Sequence, residues 1–338
     1  MRVAILAHEQ FPDRAKTALG VLRYSSYDVR AVLDREQAGN RVHDFVPDVQ
    51  DAPIVENMDE APDVDALIIG IAPIGGGFDP SWRSDVTTAL RNGCDIVSGL
   101  HYFLSEDDQF SDLASEYGCE LRDVRQPPED LTVAEGIAGD FDVHTILTVG
   151  TDCSVGKMTS TMEIAEALDS NGHDVGVIPT GQTGIMIEGW GISVDRVISD
   201  FTNGAVERMI KQKADEHDVL VVEGQGTIVH PAYSAVTCGI LHGAMPDSLV
   251  LCHDADRETI HGYDQFSLPE LETYVDLYES LAEPVSSADV VAGMLNTHGM
   301  ESDDQARQAV DAYSDTIGVP ATDPVRFSAE EIVEALIH

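Results

Sequence analysis

The stretch "LTVGTDCSVGKMTSTMEIAEAL", residues 147–168, constrains the fold more than any other part of the chain. An apolar run over 144–149 reads as a strand and ends at Gly150; a short polar loop follows, and Gly156-Lys157 opens an amphipathic helix. Strand, glycine-bounded loop and helix in that order belong to parallel α/β sheets. There the helix N-terminus turns unpaired N–H groups and a partial positive charge toward phosphate. The segment Gly150, Thr151, Asp152, Cys153, Ser154, Val155, Gly156, Lys157, Met158 and Thr159 is therefore read as a phosphate cradle, with Lys157 adding a point charge. Two departures from the usual P-loop matter. Five residues rather than four separate the glycines, and Met158 stands directly after the lysine, where Ser or Thr is the rule. A thioether is too soft a ligand for Mg²⁺. Thr159 is turned about 100° further around the helix and would miss the metal. The loop reads as one that grips phosphate more than one that cleaves it.

The rest of the chain alternates short apolar runs with helical stretches, the pattern of parallel sheets. Runs at 2–7, 28–34, 65–72 and 94–99 read as strands, with helices near 13–24, 80–92 and 109–117. The paired prolines in "RQPPEDL", 125–131, mark a linker. Strands follow at 144–149, 174–179, 218–224, 247–253 and 288–295, with helices near 157–170, 203–217, 232–242, 268–281 and 301–315. The expected architecture is α/β: a Rossmann-like N-terminal domain over 1–128, then a larger P-loop NTPase-like parallel-sheet domain over 129–338.

Chemistry-bearing residues gather at the carboxyl ends of these strands, where open α/β sheets place ligand groups. "VLVVEGQG" resembles a Walker B strand and delivers Glu223, able to hold Mg²⁺, orient an ammonium or act as a base. "GTIVHPAYSAVTCG" puts His230, Tyr233 and Ser234 in a turn leading into a helix, with a proton acceptor and oxyanion partners among them. "LVLCHDADR" supplies His253, Asp254 and Arg257, the arginine suited to clamp a carboxylate through two hydrogen bonds. "PTGQTGIMIEGWG", 179–191, reads as a mobile glycine-rich loop with Gln182 and Thr183 as ligand contacts. In the first domain "GIAPIGGGFDPSWR" reads as a structural turn at Gly75–Gly77, with Arg83 able to reach an acid group and His101 near the same sheet edge. No metal site is read from the sequence.

The loop after the first strand, "ILAHEQFPDRAK", contains no glycine, so the dinucleotide fingerprint is absent and an NAD-dependent epimerase or dehydrogenase ranks last. The charge balance excludes more. Against 61 acidic side chains stand 19 basic ones, a formal −42, of which only four are lysines: Lys16, Lys157, Lys211 and Lys213. Such a field repels nucleic acid and anionic membranes, which leaves a small-molecule substrate. The acidic residues are scattered through a chain that is 43% hydrophobic, which points to a folded, carboxylate-covered protein of the kind used at high salt, that is, a halophilic one. Five cysteines without a C-x-x-C pair fit free thiols in a reducing cytoplasm, and "MRVAILAHEQF" is too short an apolar run for a signal peptide. The expectation is a cytoplasmic protein, and a homo-oligomer.

"LRYSSYDVRAVLDREQAG", "APIGGGFDPSWR", "DIVSGLHYFLSED", "GTDCSVGKMT", "VVEGQGTIVHPAYS" and "LVLCHDADR", in that order and nearly end to end, resemble a two-domain P-loop family first catalogued as a domain of unknown function. That family includes D-glutamate N-acetyltransferases of the DgcN type. The C-terminal domain is also similar to dethiobiotin synthetase, which shares a "GTD…VGK" loop and an "EG" strand end. The resemblance implies acetyl transfer from acetyl-CoA to the amine of D-glutamate, with the loop at Gly150–Thr159 cradling CoA phosphates. Such a reaction needs a base, for which residue chemistry offers Glu223 or His230. It needs oxyanion partners, offered by Tyr233 or Ser234, and carboxylate clamps, offered by Arg257 and Arg83, with Gln182 and His253 as further substrate contacts. Two other readings stay open. One is a Mg-ATP-dependent kinase or synthetase with Asp152, Thr159 and Glu223 near the metal; the other is a nucleotide-binding sensor without turnover.

Overall fold

The computed structural model describes residues 1–73 and 75–337 and divides into two compact units, Met1–Pro127 with Gln182–Arg196, and Pro128–Gly181 with Val197–His338. Ile74 of the glycine-rich turn and the last position of the expected second domain, His338, lie outside the described residues.

The first unit is built on six parallel strands: β1 (Arg2–Leu6), β2 (Asp28–Leu33), β3 (Ile54–Val55), β4 (Ala66–Ile69), β5 (Asp95–Ser98) and β6 (Leu121–Asp123). Their order is β3-β2-β1-β4-β5-β6, with Val3 opposite Ala66 and Leu6 opposite Ile69. β1 and β4 are buried along nearly their whole length, which is why they read as unbroken apolar runs rather than alternating ones. The crossover helices are α1 (Lys16–Tyr24), α2 (Arg83–Arg91) and α3 (Asp108–Tyr117). Asp107 caps α3 by accepting from the N–H groups of Gln109 and Phe110, and Gly118, at φ 73°, closes it.

The second unit repeats the plan around β7 (His144–Gly150), α4 (Lys157–Ser170) and β8 (Val175–Ile178). The chain then contributes α5 (Gln182–Glu188) to the first unit before α6 (Thr202–Lys213), β9 (Val219–Val222), α7 (Ser234–Ala244) and β10 (Ser248–Asp254). A two-stranded antiparallel ribbon, β11 (Thr259–Ile260) and β12 (Tyr263–Ser267), leads to α8 (Leu271–Ala282), β13 (Asp289–Asn296), α9 (Asp303–Ile317), β14 (Ala321–Thr322) and α10 (Val333–Ile337). The parallel sheet runs β14-β13-β10-β7-β9-β8, so β7, which feeds the loop, lies at its centre. Ile146, Val221, Val250 and Ala292 from four neighbouring strands meet Ile164 and Leu168 of α4 in one buried core.

One expected element is corrected. The stretch 179–191 is a loop only at its ends: Gln182–Glu188 is helical, with Thr183, Gly184, Ile185, Met186 and Ile187 all buried. Glycine disfavours helix locally, but burying the run Ile185-Met186-Ile187 outweighs that preference. The Thr183 hydroxyl lies 2.9 Å from that of Thr17 on α1. Among the described residues no helix is long and apolar enough to cross a membrane.

Candidate functional site

β7 delivers the chain to Gly150, and the bend that follows is shaped by two left-handed residues, Ser154 at φ 57° and Gly156 at φ 105°. The N–H groups of Ser154, Val155 and Gly156 donate to no other group among the described residues, and they lie in the three residues just before α4. Consecutive free N–H groups in such a bend, joined to a helix N-terminus, form an anion-binding concavity. Lys157 is buried, and its Nζ donates to the Asp152 carbonyl at 2.7 Å. Gly150 makes room for the lysine, and Gly224 for the neighbouring strand. A Cβ on Gly150 would stand 2.9 Å from the lysine Nζ, and one on Gly224 would meet the Thr148 carbonyl at 1.8 Å.

Met158, in the place of the usual metal-binding hydroxyl, is 5% exposed and packs inward. Thr161, a turn along, is also no metal ligand, since its hydroxyl bonds the Lys157 carbonyl at 2.9 Å and the Thr148 hydroxyl at 3.0 Å. Asp152 is fully buried; one oxygen accepts from Cys153 N–H and the other from His261 N–H, both at 2.7 Å. Its carboxylate anchors the bend to the β11–β12 segment. Asp152, Cys153 and His230 bring three possible ligand atoms within 4.8 Å of one another. Yet both Asp152 oxygens, and both ring nitrogens of His230, already face backbone groups.

Glu223 follows β9 and is 3% exposed; its Oε2 accepts from Thr180 N–H at 3.1 Å and Gly181 N–H at 3.0 Å. His230 is buried, its Nδ1 taking the Ala232 N–H at 3.1 Å and its Nε2 facing the His261 carbonyl at 3.3 Å. That pattern fixes the proton on Nε2 and leaves neither nitrogen open as the base the sequence offered. Tyr233 stacks on this ring at 4.6 Å and is half exposed, and Ser234 begins α7 beside it. The His253 Nδ1 meets the Thr151 hydroxyl at 2.8 Å, and burial pushes its pKa down to about 4.

The two arginines offered as clamps have partners. Arg257 pairs with Asp152 at 3.4 Å and Asp254 at 3.9 Å, and its Nη1 lies 3.2 Å from His261 Nδ1. Arg83, in the first unit, donates to Asp107 at 2.5 Å and Gln109 at 2.8 Å and lies over the Phe110 ring. Gln182 also belongs to the first unit, where its side chain packs beside Gly99. Gly76, at φ 64°, lies against His101, so that a Cβ there would meet the ring at 2.3 Å.

One residue beside the bend carries no motif in the sequence. Tyr278, on α8, is fully buried; its hydroxyl donates to the Gly150 carbonyl at 2.7 Å and accepts from Ile228 N–H at 3.2 Å. Burial raises its pKa to about 12, so it stays a neutral donor. It ties the strand end before the cradle to the loop after β9, and only α8's apolar spacing hinted that it faced inward.

Fold and site together define a two-unit α/β protein with an anion cradle of P-loop type, stripped of the usual metal-binding hydroxyl. The chain belongs to the DUF1611 family: residues 132–333 match its P-loop domain and residues 35–127 its N-terminal Rossmann-like domain. Over 270 residues, 80% of each chain, it is 36% identical to a D-glutamate N-acetyltransferase of a Pseudoalteromonas species. It is 35% identical over 271 residues, again 80% of each, to one of Tritonibacter scottomollicae. The crystal structure of a DUF1611 family protein from Anabaena variabilis superposes with a TM-score of 0.94, at 36% identity over 99% of both chains.

Proposed function

We propose that the protein is an amino-acid N-acetyltransferase that moves an acetyl group from acetyl-CoA to the amine of D-glutamate, with CoA phosphates held by the bend Gly150–Thr159. The observation that carries this reading is the cradle itself. Three N–H groups without a partner among the described residues, together with Lys157, offer an anion seat, while Met158 stands where a phosphoryl-transferring Mg²⁺ would take a hydroxyl. Mg-ATP therefore fits these residues poorly, and acetyl-CoA, whose phosphates need only to be gripped, fits them well. The two enzymes named for D-glutamate N-acetylation support the choice of acceptor.

The chemistry assigns the remaining roles. An ammonium must lose a proton before its nitrogen attacks the thioester carbonyl, and Glu223, at the carboxyl end of β9, is the base we assign. The C–N bond forms as the carbonyl becomes a tetrahedral oxyanion, and we assign the hydroxyls of Tyr233 and Ser234, at the start of α7, as its partners. Collapse expels the CoA thiolate as the new amide nitrogen gives up its extra proton, and the thiolate takes up one proton, so no net proton is left over from this step. His230 and Arg257 are committed to their own partners and are given no role in the transfer step.

Purified protein in molar KCl, given D-glutamate and acetyl-CoA, should release free thiol in step with N-acetyl-D-glutamate. Phosphate release from Mg-ATP without thiol release would replace this reading with the kinase or synthetase. Tight nucleotide binding with no turnover of any acyl donor would replace it with the sensor.

A further inference from the structure

The Rossmann-like unit has a cavity of its own. Its strand order turns back on itself between β1 and β4, and the crevice outside the strand ends at such a reversal is where open parallel sheets bind ligands. A cavity of about 400 Å³ opens there, lined after β1 by His8, Glu9 and Arg14 and after β4 by Phe78, Asp79 and Trp82. That volume falls in the ordinary range for small-molecule pockets.

A dinucleotide is not what these residues suit. Asp34, just past β2 where such folds meet a ribose hydroxyl, is fully buried; it accepts N–H groups of Phe11 at 3.1 Å, Glu36 at 2.9 Å and Gln37 at 3.2 Å. Three other features point to a smaller ligand. The His8 ring is fully buried, its Nε2 lies 3.2 Å from Asp85 Oδ2, and its Nδ1 has no partner among the described residues. An orphaned buried nitrogen is costly, and Asp85, accepting from Nε2–H, leaves Nδ1 as a lone-pair acceptor. Asp85 is itself fixed by Met58 N–H at 2.8 Å and by Arg35 at 3.7 Å, while Arg35 also holds Glu9 at 3.1 Å. Glu9 sits in the left-handed region at φ 57°, a strained place for a non-glycine residue. Arg14, finally, makes no side-chain hydrogen bond or ion pair among the described residues, in a chain where acidic groups outnumber basic ones 61 to 19.

We infer that this crevice is a second ligand site, built for a small α-amino acid. Arg14 takes the carboxylate, His8 Nδ1 accepts a hydrogen bond from the amino group, and Phe78 and Trp82 cover the stem. The positive and acceptor groups on one cavity match the two ends of such a molecule, whereas Glu9 and Asp79 are already occupied by Arg35 and by Ser81 N–H. The site does not depend on the transfer reaction; only the choice of D-glutamate as first probe rests on the proposed function.

The test is calorimetric titration of the full chain, without acetyl-CoA, using D-glutamate, L-glutamate, glycine and glutarate, which lacks the amine. At least one amino acid should bind, glutarate should bind tenfold more weakly or worse, and Arg14→Gln and His8→Asn should each lower amino-acid affinity about tenfold or more. In protein labelled with ¹⁵N-histidine, saturation should move the His8 Nδ1 resonance. Absence of binding by every probe would overturn the proposal. So would wild-type affinity in the exposed-site variant Arg14→Gln, glutarate binding as well as glutamate, or an unmoved His8 signal. Because no thiol is read, failure of the acetyl-transfer reading leaves these outcomes interpretable.

Discussion

The Tyr278 hydroxyl meets the Gly150 carbonyl at the point where β7 becomes the cradle, 2.7 Å away and across 128 residues of sequence. Tyr278→Phe would leave that carbonyl and the Ile228 N–H without this partner in a dry interior, at a cost of roughly 1–3 kcal/mol. Denaturant unfolding should show a loss of that size together with weaker acetyl-CoA binding, and an unchanged midpoint would mean that the bond contributes nothing. His253 offers a second handle. Burial lowers its pKa to about 4 in the folded chain, against about 6.5 when unfolded. Between those values the unfolded chain binds a proton that the folded one does not. Stability that rests on the neutral ring is thus fully present above about pH 6.5 and is lost as pH falls toward about 4. Thermal midpoints followed from about pH 7.5 to about pH 4.5 should fall less steeply in His253→Gln than in the parent; parallel slopes would contradict the assignment. Neither Tyr278 nor the committed state of Arg83, Arg257 and His230 could be read from the sequence. Each depends on a partner brought close by the fold, and a side chain's type announces what it can bind but not what already occupies it.

At the scale of elements, local signals carried most of the fold. The central strands were legible because burial on both faces leaves continuous apolar runs, and the bend at Gly150–Lys157 because its glycines are needed for shape. The two-residue strands Ile54–Val55 and Ala321–Thr322 carry too few residues for any period to appear. The helix Gln182–Glu188 is hidden for the opposite reason: Gly184 and the glycines flanking the helix advertise a loop, while its apolar residues find a surface only in the folded unit. In the cradle, the glycine spacing marks the bend and the sequence itself puts Met158 after the lysine. That Asp152 faces His261 rather than a ligand emerges only when β10 carries residues 255–261 back over the bend.

For the whole molecule, the formal charge of −42 sets the conditions in which folding and binding happen. Self-repulsion among exposed carboxylates falls as salt shortens the Debye length from about 10 Å at 0.1 M to about 3 Å at 1 M. The thermal midpoint should therefore rise steadily from about 0.1 M to about 2 M KCl; a midpoint that fell over this range would refute the halophilic reading. On the proposed reading the same field repels a CoA phosphate, so affinity would have to come from the local cradle and should depend sharply on its one lysine. Equilibrium titration of acetyl-CoA and of Mg-ATP against the parent protein and Lys157→Ala, in molar KCl, addresses that claim most directly. The expected result is acetyl-CoA binding that weakens about tenfold or more without the lysine, alongside weaker or no binding of Mg-ATP. Acetyl-CoA affinity indifferent to Lys157, or Mg-ATP bound tightly where acetyl-CoA is not, would contradict it.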